Sequence, residues 1–76
     1  MSEEIQISQV VINTKGKWKK FEEESKKTFE IGKTYNVNVE GLCEFAVSST
    51  KPIVGMATNS ITFTAYDGVY LWIKTL

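Results

Sequence analysis

An all-β fold, a small antiparallel β-sandwich or barrel of about seven short strands, is what this sequence predicts. Three observations carry that expectation. From Phe29 onward apolar and polar residues alternate with a period of two, the signature of half-buried strands. Turn chemistry interrupts the alternation at close intervals, at Asn13-Thr14-Lys15-Gly16, Gly32-Lys33, Gly41, Lys51-Pro52 and Asp67-Gly68. A length of 76 residues with no internal repeat gives one domain, residues 1–76.

The first strand runs from Glu4 to Asn13: Ile5 and Ile7 alternate with polar residues, and the Val10-Val11-Ile12 run marks a bulge. The next segment, Lys17–Lys27, is ambiguous. Trp18, Phe21, Ser25 and Phe29 have helical spacing, yet the strand-rich surroundings favour two short strands around a charged loop at Glu22–Lys27. Phe29 and Ile31 then alternate ahead of the Gly32-Lys33 turn, and Tyr35, Val37 and Val39 follow on one face of a strand. Cys43, Phe45 and Val47 repeat the pattern after Gly41. A hairpin with a Glu40-Gly41-Leu42 loop pairs Val39 with Cys43, Val37 with Phe45 and Tyr35 with Val47, so every apolar side chain shares a face. A two-residue loop would set Val39 opposite Glu44.

Pro52 opens a short edge strand, Ile53–Met56, followed by a turn at Ala57-Thr58-Asn59. By the same logic, the final hairpin has a three-residue Tyr66-Asp67-Gly68 loop with Gly68 in the left-handed region. It pairs Ala65 with Val69, Phe63 with Leu71 and Ile61 with Ile73. Thr62, Thr64, Tyr70 and Trp72 then share the outer face, where two large aromatics require a second cover, either a partner surface or, over Trp72, the Lys17–Lys27 segment of the same chain.

Composition excludes several functions. Nine lysines balance nine acids, and there is no arginine and no histidine. Zero net charge gives no long-range attraction to nucleic acid or anionic lipid, and the missing arginine removes the usual bidentate reader of bases and phosphates. Lys15, Lys17, Lys19 and Lys20 do interleave with Trp18 and Phe21, as in small barrels that stack single-stranded bases. The glutamate run directly after them argues against it, and packing of Trp18 and Phe21 on the core, with the lysine heads in water, is the favoured account of the same residues. No nucleophile has a base to serve it. Cys43 falls on the inward parity of a strand and reads as a core thiol. A single cysteine and no histidine allow neither an internal disulfide nor an ordinary zinc site, and no cofactor motif is present. No enzyme is expected. No apolar run has membrane-spanning length and Met-Ser-Glu-Glu is no signal peptide, so synthesis in a cytoplasm is expected.

The charges are segregated. Residues 1–33 hold seven lysines and six glutamates, whereas Thr34–Leu76 holds only Glu40, Glu44, Lys51, Asp67 and Lys74. Charge depletion with threonine, asparagine and aromatics retained is characteristic of surfaces that pack against protein. A chain this small buries only about 60% of its unfolded surface. Lacking disulfide and metal, it is expected to gain stability by self-association, with a trimer as the first expectation. The candidate interface residues are Thr62, Thr64, Tyr70, Trp72, Trp18 and Phe21.

The stretch Ile31–Thr75 resembles small all-β virion proteins of tailed bacteriophages, of the capsid-decoration, head-fibre and tail-adaptor kind. The resemblance lies in Ile-Gly-Lys-Thr-Tyr at Ile31–Tyr35, Asn-Val-Asn-Val at Asn36–Val39 and Gly41. It continues in the Lys-Pro…Gly bend at Lys51–Gly55 and the closing Tyr-Leu-Trp-Ile-Lys-Thr at Tyr70–Thr75. It implies a structural, non-enzymatic role in the virion, homo-oligomerisation and docking on another virion protein such as the major capsid protein, with synthesis in the host cytoplasm. A small phage protein that blocks a host factor, and a barrel that binds single-stranded nucleic acid, are the alternatives.

Overall fold

The computed structural model describes residues 4–76 and forms two facing β-sheets with one helical turn. The elements are β1 (Glu4–Val10), β2 (Lys19–Lys20), α1 (Phe21–Ser25), β3 (Thr34–Val39), β4 (Cys43–Ser48), β5 (Met56–Ala57), β6 (Ser60–Thr64) and β7 (Tyr70–Thr75). One sheet has the order β1-β3-β6 and the other β2-β7-β4-β5. The expected all-β architecture of seven short strands is thus the one formed. Its pairs are antiparallel except β1–β3, which is parallel. A parallel pair needs a crossover, here the segment that carries β2 and α1 across the second sheet. The β1–β3 register shifts between Ile7 and Val10, where the bulge was expected, and β1 ends at Val10 rather than Asn13.

The faces follow the sequence pattern, but the partners do not. Tyr35, Val37, Val39, Cys43, Phe45, Phe63, Ala65, Leu71 and Ile73 are all buried in one core. Yet β3 pairs with β1 and β6, and β4 pairs with β7 and β5. Neither expected hairpin exists. The Glu40–Leu42 and Tyr66–Gly68 loops are arches that carry the chain from one sheet to the other. The turn chemistry itself is as expected, with Gly68 at φ 79° and Val69 N–H donating to Tyr66 O at 3.3 Å. The reason is geometric. An arch and a three-residue hairpin place the same alternating residues inward, but the arch sets them facing across the core, where both layers are covered.

Lys17–Lys27 is neither a simple loop nor a long helix. Lys19 and Lys20 pair with Ile73 and Trp72, and Phe21–Ser25 then makes a single helical turn. Lys26 ends it at φ 62°, its N–H bonded to Glu22 O at 3.1 Å. The Glu22 carboxylate accepts the Phe29 N–H at 3.1 Å, so the first acid of the run fixes the return of the chain. That return places Phe29 between Tyr35 and Phe63, with ring centroids 4.5 and 5.4 Å away, and stacks it on Phe21 at 5.8 Å. Ile31, expected to alternate with Phe29 in a strand, lies in a turn and is exposed. The expected strand Ile53–Met56 shortens to Met56–Ala57, leaving Ile53 and Val54 in an exposed loop.

Two buried threonines lock the segment after β1 to β7. Thr14 N–H donates to Thr75 Oγ1 at 2.7 Å, and Thr75 N–H donates to Thr14 Oγ1 at 2.9 Å. Gly16 N–H adds a bond to Thr75 O at 3.1 Å. Thr75→Val keeps the shape but strands the buried Thr14 N–H, which is expected to cost about 1–3 kcal/mol. Urea unfolding measures the loss. Thr75→Ser, which restores the acceptor, is expected to recover most of it.

Candidate interaction surfaces

The fold separates the residues proposed as one interface. Because β6 and β7 belong to different sheets, Thr62 and Thr64 lie on the outer face of the three-stranded sheet, and Tyr70 and Trp72 on that of the four-stranded sheet. The expected common face of these four is therefore corrected to two opposite faces. Phe21, also expected at the interface, is fully buried in the core. The core packing that the sequence favours for Phe21 over base stacking is the one formed.

Trp18 and Trp72 are buried outside the main core, in a cluster on the outer face of the four-stranded sheet. Trp72 Nε1–H donates to Ser48 O at 3.0 Å, and its ring meets Tyr70 edge-on at 6.5 Å between centroids. Lys20, opposite Trp72 in the β2–β7 ladder, sets Nζ 3.9 Å from the Tyr70 ring centroid. Lys74 places Nζ 5.3 Å from Trp18 and 3.8 Å from the Glu44 carboxylate. The chain thus covers these aromatics itself, the lysine stems and charges serving as the lid. Trp72 and Trp18 leave less than a tenth of their surface to solvent, so neither is free to anchor a second chain.

The outer face of the three-stranded sheet is different. Thr34 and Thr64 pair through their hydroxyls at 2.9 Å, Asn36 Nδ2 donates to Thr62 Oγ1 at 3.3 Å, and Asn38 Nδ2 donates to Asn36 Oδ1 at 2.9 Å. Gln6 lies beside Asn36 in the register. The charge depletion seen in sequence is concentrated on β3 and β6, as an array of hydroxyls and amides built by two neighbouring strands of Asn-X-Asn and Thr-X-Thr and bordered by Glu4 of β1 beside Thr34. A separate apolar band follows the β4–β5 side, where Val47, Ile53, Val54 and Met56 are all at least half exposed. Val47 keeps the inward parity of β4 but lies beyond the cover of the opposite sheet. The exposure of Ile53 and Val54 had no sequence signal, since both read as strand residues.

The described residues offer little chemistry. A half-open depression of about 230 Å³ beside Leu42, Cys43, Thr58 and Leu76 has no charged lining residue. Its thiol, Cys43 Sγ, donates to Thr58 O at 3.1 Å, and burial pushes its pKa up, so the nucleophilic thiolate is disfavoured. Among the described residues no group of three or more His, Cys, Asp or Glu could hold a metal ion, and no helix is long and apolar enough to cross a membrane.

Compared with protein-family models, curated proteins and solved structures, the chain matches none. None of the three comparisons supports a likeness of Ile31–Thr75 to phage virion proteins.

Proposed function

We propose that this chain is a non-enzymatic structural module that acts by assembling with copies of itself and docking on a larger protein. The observation that carries the reading is the uncharged threonine–asparagine strip that β3 and β6 form on the outer face of their sheet. A strip whose polar groups already bond one another is cheap to desolvate, and β3 and β6 add no charge to it that would repel a second copy. The exposed Val47, Ile53, Val54 and Met56 band supplies apolar area for a second contact. In its finer form the reading is that of the resemblance, a component of a tailed-phage virion docked on another virion protein.

Sedimentation at micromolar concentration tests the assembly. A species heavier than the 8.6 kDa chain is expected, with a melting temperature that rises with concentration. A well-folded monomer that melts independently of concentration overturns it. The virion role is tested by quantifying the chain in density-purified particles of the phage that encodes it, where a fixed copy number per particle is expected and absence refutes the role.

A further inference from the structure

We propose that β6 is the strand through which two copies of this chain pair, edge to edge and antiparallel, so that their three-stranded sheets join into one continuous sheet. This deepens the proposed self-assembly and rests on it. It replaces the trimer expected from sequence with a two-fold pair, because antiparallel pairing of one edge with itself closes at two.

Four sheet edges are available, and three are guarded. The four-stranded sheet ends in β2 and β5, each only two residues long. On the three-stranded sheet, β1 carries the acid Glu4 and the register shift between Ile7 and Val10. Short strands, charges and irregular ladders are the devices that keep edges from pairing. β6 has none of them: Ser60-Ile61-Thr62-Phe63-Thr64 is uncharged, contains no proline and pairs with β3 in unbroken register.

The backbone direction fixes which groups are on offer. Ala65 N–H donates to Lys33 O at 3.0 Å, and Asn59 O accepts from Val39 N–H at 2.8 Å, so the odd-numbered residues of β6 face β3. By the alternation of an antiparallel ladder, Ser60, Thr62 and Thr64 point their N–H and C=O to the open edge. Ser60 is already served, since its N–H donates to Thr58 Oγ1 at 3.2 Å and its carbonyl accepts from the same hydroxyl at 3.0 Å. Thr62 and Thr64 are the edge-facing residues of β6 that remain for a partner strand.

The strand sequence itself selects a second copy. Read about Phe63, Ile61-Thr62-Phe63-Thr64-Ala65 is a palindrome of residue class: apolar, Thr, Phe, Thr, apolar. A two-fold axis beside Phe63 sets Thr62 of each copy opposite Thr64 of the other, each pair exchanging both backbone bonds. It uses the two open residues and leaves Ser60 with Thr58. On the outer face it extends the Thr34–Thr64 hydroxyl ladder across the junction, a favourable cross-strand pairing. On the inner face it brings half-buried Ile61 beside the small Ala65 of the other copy. A strand from another protein would have no reason to match this symmetry.

Two measurements on the full chain decide it. In the wild type, amide exchange at Thr62 and Thr64 is expected to slow as the concentration rises through the dimerisation range, while the β3–β6 amides stay protected throughout. Thr62→Pro removes an N–H that faces the open edge and none that faces β3, so sedimentation is expected to show a folded monomer. Dimers that persist in Thr62→Pro, with the Thr62 and Thr64 amides of the wild type exchanging freely at every concentration, would place the contact elsewhere and overturn the β6 assignment while leaving self-assembly standing. A wild type that stays monomeric overturns both. Protection that appears only when a foreign peptide is added gives the edge to another protein and refutes self-pairing. If the proline variant fails to fold, the wild-type exchange profile decides alone.

Discussion

Phe21→Ala is expected to leave the chain largely unfolded at 25 °C. Phe21 has no solvent exposure, stacks on Phe29 at 5.8 Å and meets Phe45 at 6.4 Å between ring centroids. It is also the one buried residue of α1, so the helical turn has no other hold on the core. Truncation of a buried phenylalanine costs about 3–5 kcal/mol. A domain of this size has of the order of 4–11 kcal/mol in total, at ~0.05–0.15 kcal/mol per residue. Circular dichroism with urea titration measures the effect. A variant that keeps its cooperative transition and loses only oligomers would restore Phe21 to the surface and remove α1 from the core.

Gly55→Ala is expected to be the most damaging of the single-methyl additions. Gly55 does not have positive φ; what it lacks is room. A Cβ there would collide with Trp18 Cη2, lie 2.6 Å from Phe45 O and 3.0 Å from Trp18 Cζ2. The indole has some freedom to swing aside, but the carbonyl is β4 backbone and yields only if the ladder moves. Overpacking of this kind costs about 1–3 kcal/mol, and the upper end is expected because the collision is with main chain. Tryptophan emission is expected to shift to the red as Trp18 is displaced towards water. Gly68→Ala is the control. Its site has open space and only a φ of 79° to strain, so a loss of about 1 kcal/mol with unchanged emission is expected there. Equal losses at the two glycines would mean that Trp18 does not rest on Gly55.

The sequence pattern disclosed sides and concealed partners. The alternation through Tyr35, Val37 and Val39, then Cys43 and Phe45, identified core residues correctly, because burial depends only on which way a side chain points. Pairing depends on where the neighbouring strand lies, and Glu40-Gly41-Leu42 satisfies a hairpin and an arch equally. That ambiguity carried into the interface. Thr62 and Thr64 were grouped with Tyr70 and Trp72 on the strength of an adjacency that does not exist, and they occupy opposite faces of the sandwich. Trp18 was hidden for another reason: its cover comes from Lys74 and from Gly55, 37 positions or more along the chain. The charge segregation was more informative, since the uncharged side chains of Thr34, Asn36, Asn38, Thr62 and Thr64 do form one hydrogen-bonded polar strip.

The arches also govern how this chain reaches its native state. With β1 and β3 parallel and each later long strand sent to the opposite sheet from the one before it, no hairpin of neighbouring long strands is available as a local nucleus. β7 sits between β2 and β4, so on a ribosome β2 has no partner, and β4 only the two-residue β5, until Tyr70–Thr75 has emerged. Until then the β7-facing edge of Cys43–Ser48, with its buried Cys43 and Phe45, is open to whatever is near. A fold so rich in distant pairings is expected to form in milliseconds to seconds, about the range of non-local β proteins, rather than in microseconds. During that delay the exposed strand is a natural substrate for a chaperone that holds extended apolar segments.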